Sequence, residues 1–327
     1  YPSPDIVGRI DNQNLHADGP ADMVIIVPPS GKLTSEAERL AEAHREKSGL
    51  RVRVVNAGQI YNEYSSGTPD ASAYRRYMKM LYDRAENQDD LPKYLLLFGD
   101  CAWDNRMLSN EWNAYSPDDF LLAYEVNDQY ETSRTEVPFG TLYSYVTDDY
   151  YGLLDDGEGG NIEYEKIDLS IGRFPCHEPA VAKILVDKTI TYMENRNTGA
   201  WKNSIYVLGD YGDNNLHMND ADKVFNQIET STQDKFIQRR IYWDAYQYTV
   251  TSTSKTFPQV SARLRDAMKQ GALLFNYSGH GSPEQLSKAV ILKENDFSSI
   301  SSDSKYALWV LASCEITPFD SQKNDIG

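Results

Sequence analysis

Short apolar runs recur along this 327-residue chain, and most are followed by a stretch with the chemistry of a helix start. Met23-Val24-Ile25-Ile26-Val27 stops at Pro28-Pro29. A strand apolar at every position is one covered on both faces, which is the situation in a parallel sheet. Thr34-Ser35-Glu36-Ala37-Glu38 then offers a hydroxyl N-cap and an acidic first turn for a helix to about Lys47, ended by Gly49. Leu50 to Val55 reads as a second strand, Ala71 to Asn87 as a second helix and Tyr94 to Asp100 as a third strand. Repeated βα winding of this kind predicts an α/β fold with mainly parallel sheets covered by helices.

The middle of the chain, Cys101 to Tyr164, is aromatic, acidic and broken by Asn, Pro and Gly. It ends in Asp155-Asp156-Gly157-Glu158-Gly159-Gly160-Asn161, a solvated turn that marks a boundary between halves. Its carboxylates and carbonyls are also the ligand types of a structural Ca²⁺, although the ordered alternate ligands of a helix-loop-helix calcium site are missing. Winding resumes with the strand Asp168 to Phe174, the helix Glu178 to Glu194, the strand Ser204 to Leu208 and the helix Asn219 to Thr230. Gln238 to Trp243 and Gly271 to Tyr277 are further strands flanking a helix from Pro258 to Gln270, and Ala307 to Ala312 is the last strand. The expected domains are an N-terminal extension over 1–21, a first α/β subdomain over 22–162 and a second over 163–327. The chain stops at Gly327, soon after the last strand, so the second half is expected to be incomplete at its C-terminus.

Composition excludes several classes. The formal charge of −17 repels nucleic acid and anionic lipid headgroups. No run of about 18 apolar residues exists, so no transmembrane helix is expected. The start, Tyr1-Pro2-Ser3-Pro4, lacks a charged segment followed by an apolar one, leaving either no export signal or one already removed. Three cysteines, Cys101, Cys176 and Cys314, are too few for a disulfide framework. Histidines 16, 44 and 217 show no metal-ligand spacing, so no metal and no required cofactor are expected.

Two segments carry chemistry. Phe275-Asn276-Tyr277-Ser278-Gly279-His280-Gly281-Ser282 and Leu311-Ala312-Ser313-Cys314-Glu315 each follow a strand-like run. A thiol attacks only as thiolate, and imidazole titrates in the range that can take its proton. Sites in α/β folds lie beyond the carboxyl ends of strands, where residues distant in sequence meet. His280 and Cys314 therefore read as base and nucleophile. A histidine in a Gly turn can also merely cap a strand, and a lone Cys is often a buried apolar thiol. Cys176-His177 are adjacent, which does not by itself put the imidazole on the thiol.

These blocks resemble peptidase family C25, the gingipain-like cysteine peptidases of the caspase-like clan. Supporting blocks are Leu95-Leu96-Leu97-Phe98-Gly99-Asp100, Asp148-Asp149-Tyr150-Tyr151-Gly152 and Ile171-Gly172-Arg173-Phe174. The resemblance implies a three-layer αβα fold with two sheets side by side and a caspase-like catalytic second half. It implies catalysis by Cys314 and His280, with an oxyanion hole from the N–H groups of Gly281 and Cys314. A third, acidic group should orient the imidazole. The resemblance points to the segment Gly209-Asp210-Tyr211-Gly212-Asp213, with Asp210 the first choice and Asp213 the second. Gingipains also bind a basic substrate side chain with an acid, for which Asp220 lies in about the right region.

Within the family, Ser313-Cys314-Glu315 and Phe319-Asp320-Ser321-Gln322 are more similar to the sortase-like member of type IX secretion than to gingipains. That likeness implies protein substrates with a C-terminal secretion signal, whose acyl group passes to an amine on surface lipopolysaccharide. It implies secretion-machinery subunits as partners, and a secreted or outer-membrane cell-surface location in a Gram-negative bacterium. The alternatives are a secreted gingipain-like endopeptidase and a non-catalytic binding relative.

Overall fold

A computed structural model describes residues 8–128, 143–162, 164–250, 255–314 and 316–322. Tyr1 to Pro4, Glu315 and Gly327 lie outside the described residues, and the N-terminal extension is described from Gly8 onward. The chain forms two compact units, Tyr1–Asp187 and Lys188–Gly327.

The first unit runs β1 (Met23–Val27), α1 (Thr34–Ser48), β2 (Val52–Asn56), α2 (Ala57–Tyr64), α3 (Ala71–Asp83), β3 (Tyr94–Phe98), β4 (Tyr124–Asp128), β5 (Tyr143–Thr147) and β6 (Ser170–Phe174). Its main sheet has the order β2-β1-β3-β6, with every pair parallel. Connections from β1 to β2 and from β2 back across to β3 run in opposite directions. Right-handed crossovers then place α1 on one face and α2 with α3 on the other. Val24, Ile26, Leu95 and Leu97 pack against Ile60, Tyr74, Tyr77 and Met78 of α2 and α3. Asn56 and Asp70 cap those helices by accepting from the N–H groups of Gly58 and Ser72.

The strand Ser170–Phe174, assigned from sequence to the second half, pairs with Tyr94–Phe98 in the first sheet. The acidic turn before it interrupts the chain without ending the sheet. That turn is held by cations of the protein itself. Lys79 Nζ donates to Leu154 O and Asp156 Oδ1, both at 2.9 Å, and Arg75 donates to Leu153 O and Glu158 O at 2.6 and 2.8 Å.

Helix α4 (Pro179–Glu194) leads into the second unit. There follow β7 (Ser204–Gly209), α5 (Leu216–Thr232), β8 (Ile237–Tyr242), the short pair β9 (Thr249–Val250) and β10 (Lys255–Thr256), α6 (Pro258–Gln270) and β11 (Leu274–Ser278). Next come β12 (Gly281–Ser282), β13 (Gln285–Leu286), β14 (Leu292–Lys293) and β15 (Leu308–Ala312). The second parallel sheet has the order β15-β11-β7-β8. Ile205 and Val207 pack on Ala221 and Phe225 of α5, whereas Tyr206 and Leu208 pack on Val260, Leu264 and Ala267 of α6. The period-2 alternation of β7 thus divides two helix layers. Among the described residues, no helix is long and apolar enough to cross a membrane.

Candidate active site

Register sets the site. Gly209, Ser278 and Ala312 stand side by side as the last paired residues of β7, β11 and β15. The next main-chain row continues the alignment, for Asp210 N–H donates to Ser278 O at 3.0 Å and Gly279 N–H donates to Ala312 O at 3.2 Å. His280 and Cys314 each lie two residues beyond a paired strand end. The chain leaves β7 toward β8 on one side and later returns to β11 on the other, so the β7–β11 gap is the topological switch point of this sheet. Such a gap opens a crevice at the carboxyl ends, the usual place for an α/β site.

The His280 ring finds its carboxylate in Asp213: Nε2 lies 2.6 Å from Oδ2. That contact fixes Nε2 as the protonated nitrogen and leaves Nδ1 as the one able to take and give a proton. The same hydrogen bond holds the Asp213 carboxyl below the usual carboxylate range. Asp213 reaches the ring because Gly212, Asp213, Asn214 and Asn215 all have left-handed φ values, of 83°, 48°, 53° and 65°. Asp, Asn and Gly tolerate that region best among residues. The turn brings Asp213 back over the start of α5, where His217 Nε2 lies 3.3 Å from the same Oδ2. The two imidazoles meet edge to face, with centroids 4.9 Å apart.

Asp210, the first choice from sequence for the acid on the ring, sits instead beneath the main chain. It is fully buried, and its carboxyl accepts from His280 N–H at 3.1 Å, Tyr211 N–H at 2.8 Å and Ser287 Oγ at 2.8 Å. The Tyr277 hydroxyl lies 3.1 Å from Asp210 Oδ2 and 2.6 Å from His280 O. Burial pushes that hydroxyl far above the ordinary tyrosine range. Asp210 leaves the last residue of β7 directly into the sheet row, so it meets backbone; Asp213 lies past the turn and meets the ring. Gly279 fits here because a Cβ would come within 2.5 Å of Asp210 Cβ.

Gly281 packs against the segment flanking Cys314. A Cβ on it would lie 2.5 Å from Ser313 Oγ and 2.6 Å from Ile316 Cγ1. Ser287 N–H donates to His280 O at 2.8 Å, and β12 runs antiparallel to β13 with Gly281 opposite Leu286. Bonded and non-bonded pairs alternate in such a ladder, so the Gly281 N–H points away from β13. Cys314 is exposed, whereas Cys101 and Cys176 are buried, and burial pushes the Cys176 thiol up to about 12. His177 pairs with Asp100 at 3.2 Å rather than serving that thiol. Asp220 forms an ion pair with Lys223 on α5. Asp320 is half-buried, which raises its carboxyl pKa.

His217, Tyr277 and Ser287 escaped the sequence reading as site residues. Of these only His217 left a usable signal, since it follows Asp213 by one helical turn.

The second unit is thus a parallel sheet wound on both faces, with His280 and Cys314 beyond the ends of neighbouring strands. The chain belongs to peptidase family C25, whose family model matches residues 16–327. Latent dimeric PorU from Porphyromonas gingivalis is 43% identical over 61% of this chain and 18% of its own, with a TM-score of 0.52. The complex of pro- and mature domains of RgpB from the same organism aligns at 20% identity over 93% of this chain and 58% of its own, TM-score 0.61. The Arg-specific cysteine proteinase gingipain R aligns at 20% identity over 96% and 59%, TM-score 0.61. At that identity the gingipains show the shared fold. The chain thus spans less than two thirds of each of these relatives. No curated protein matches it.

Proposed function

We propose that this chain carries the catalytic groups of a cysteine transpeptidase that trims exported proteins at a C-terminal secretion signal. The observation that carries the catalytic part is the common register of β11 and β15, which sets His280 and Cys314 equally far beyond adjacent strand ends. Cys314 Sγ attacks the scissile carbonyl carbon, and its proton passes to His280 Nδ1. The tetrahedral oxyanion rests on the N–H groups of Gly281 and Cys314. The C–N bond then breaks as His280 protonates the leaving amine, leaving a thioester. An acceptor amine attacks that thioester, gives its proton to His280 and forms a new amide, and the thiol is restored. Asp213 holds the ring in the tautomer this sequence needs, and Asp210 holds the turn.

The 43% identity with PorU, together with Phe319-Asp320-Ser321-Gln322, favours the sortase-like member over a degradative gingipain. On that likeness the substrate is a protein bearing the signal domain, the acceptor is an amine of surface lipopolysaccharide, and the site is the cell surface.

The test is mass spectrometry of an exported protein's new C-terminus in cells carrying the full-length protein, with the native thiol or Cys314→Ala. The expected result is a C-terminus joined to an amine in the first and an uncleaved signal in the second. Equal maturation in both would leave a non-catalytic binding role, and a free C-terminal acid at unrelated sites would indicate an endopeptidase.

A further inference from the structure

Asp213, His217 and His280 offer one ligand atom each, all within 4.8 Å of one another. We propose that these three side chains form a site for a divalent transition ion of the zinc type, and that the ion shuts off the site by taking the imidazole of His280. The inhibitory half of the proposal rests on His280 being the catalytic base; the binding half does not.

Two imidazoles and one carboxylate are the donor set that Zn²⁺ prefers after thiolate, at bond lengths of about 2.0–2.2 Å. Ligand atoms on a tetrahedron of that size stand roughly 3.3 Å apart. Asp213 Oδ2 and His217 Nε2 already have that spacing, at 3.3 Å. Asp213 Oδ2 and His280 Nε2 are closer, at 2.6 Å, the separation of a short hydrogen bond. Exchanging that proton for a metal ion opens the contact by about 0.7 Å, a movement within reach of one half-exposed carboxylate. The Nε2 proton passes by way of solvent to Nδ1, so the ring stays neutral, and the ion takes the Nε2 lone pair. Asp213 and His280 keep part of their surface in solvent, so a fourth position remains for water.

The observation that points to a ligand is His217. Its Nε2 is buried yet makes no hydrogen bond, although Asp213 Oδ2 lies 3.3 Å away. Buried ring nitrogens are ordinarily satisfied, and this one lies beside a carboxylate and a second imidazole, where an ion shared by the three would satisfy it. His217 has no step in the proposed peptidase chemistry. Its position, second in α5 and directly beneath the left-handed turn, serves the trio.

Metal bound here removes both features that prepare His280 for catalysis: the Asp213 contact at Nε2 and the freedom of the ring to accept a proton. Inhibition should therefore be competitive with protons and reversed by a chelator.

The test uses the 327-residue chain with Zn²⁺ in calorimetry and Co²⁺ in visible spectroscopy. One equivalent should bind, with the d–d bands of tetrahedral Co²⁺, and His217→Ala should weaken Zn²⁺ affinity about tenfold or more. Asp213→Asn should do the same. Broadening of the His217 and His280 ring signals by Co²⁺ gives a readout on the unmutated chain. A thiolate-to-Co²⁺ charge-transfer band, or affinity unchanged by both substitutions, would overturn the site. Inhibition is then read on the active full-length protein. Zn²⁺ that binds there without slowing turnover would overturn the inhibitory role while the site itself stood.

Discussion

Replacing Asp210 by Ala should loosen the turn that carries His280 while leaving the groups of the Asp213–His280 contact in place. Four groups address the Asp210 carboxyl, and two of them are hydroxyls free to rotate: that of Tyr277 keeps His280 O as acceptor, and that of Ser287 keeps the Ala289 N–H it accepts from and can turn its own proton elsewhere. The N–H groups of Tyr211 and His280 lose the side-chain acceptor given to them. A buried donor left without an acceptor costs about 1–3 kcal/mol, so the pair comes to roughly 2–6 kcal/mol. In a unit of this size that lowers the melting midpoint by roughly 5–20 °C. Asp213→Ala is the contrasting change. Its side chain is 45% exposed, so the stability effect is mainly that of Ala at a left-handed φ of 48° and should stay at about 1 kcal/mol. Turnover should nonetheless fall about 100-fold or more, because the imidazole loses the group that fixes its tautomer. Calorimetry of the 327-residue chain reads the first effect, and peptide cleavage by the full-length protein reads the second. An Asp210→Ala midpoint within about 1 °C of wild type, or a loss just as large in Asp213→Ala, would refute this division of roles.

Gly281→Ala should displace the Ser313 to Ile316 segment, since the added methyl has no room at 2.5 Å from Ser313 Oγ. The expected cost is about 1–3 kcal/mol of stability, with a larger loss in turnover than the midpoint shift alone explains, read by parallel calorimetry and kinetics. In the first unit, the Asp100 hydrogen bond raises the His177 pKa above its ordinary value, against the opposing effect of burial. A raised folded-state pKa contributes stability that is complete below the unfolded value and is lost as pH rises through the folded one. Denaturant midpoints of wild type and Asp100→Asn should therefore differ most near pH 6 and converge above the folded pKa, with the His177 ring titration by NMR locating that point.

The parallel strands were legible because burial on both faces leaves an apolar run with no need of a partner's identity. Met23–Val27 and Ser204–Gly209 are buried along their whole length. What the runs do not carry is which strand each will pair with. Ser170–Phe174 is an edge strand of mixed burial, and only its hydrogen bonds to β3 place it in the first sheet. Helix α2 has eight residues, too few for a helical period to emerge from Ala57-Gly58-Gln59-Ile60-Tyr61-Asn62-Glu63-Tyr64. The two-residue strands β12, β13 and β14 have no sequence signature, for their ladder depends on where the His280 turn lies.

The choice between Asp210 and Asp213 was open in the sequence for a related reason: two acids three residues apart differ in the backbone between them, not in chemistry. Asp210 follows the strand without a break, and a residue in that place is carried into the sheet, where polar side chains must find main-chain donors. Past it, four successive left-handed residues reverse the chain and return a carboxylate to the crevice. Gly212, Asn214 and Asn215 hold that conformation at little cost, whereas β-branched residues there would force the turn open. The tight placement of two acids against one histidine gives separate control of position and tautomer. It also sets Asp213 between two imidazoles, 2.6 Å from His280 Nε2 and 3.3 Å from His217 Nε2. On the proposed chemistry, the turn that would prepare His280 for catalysis would also supply the means to stop it.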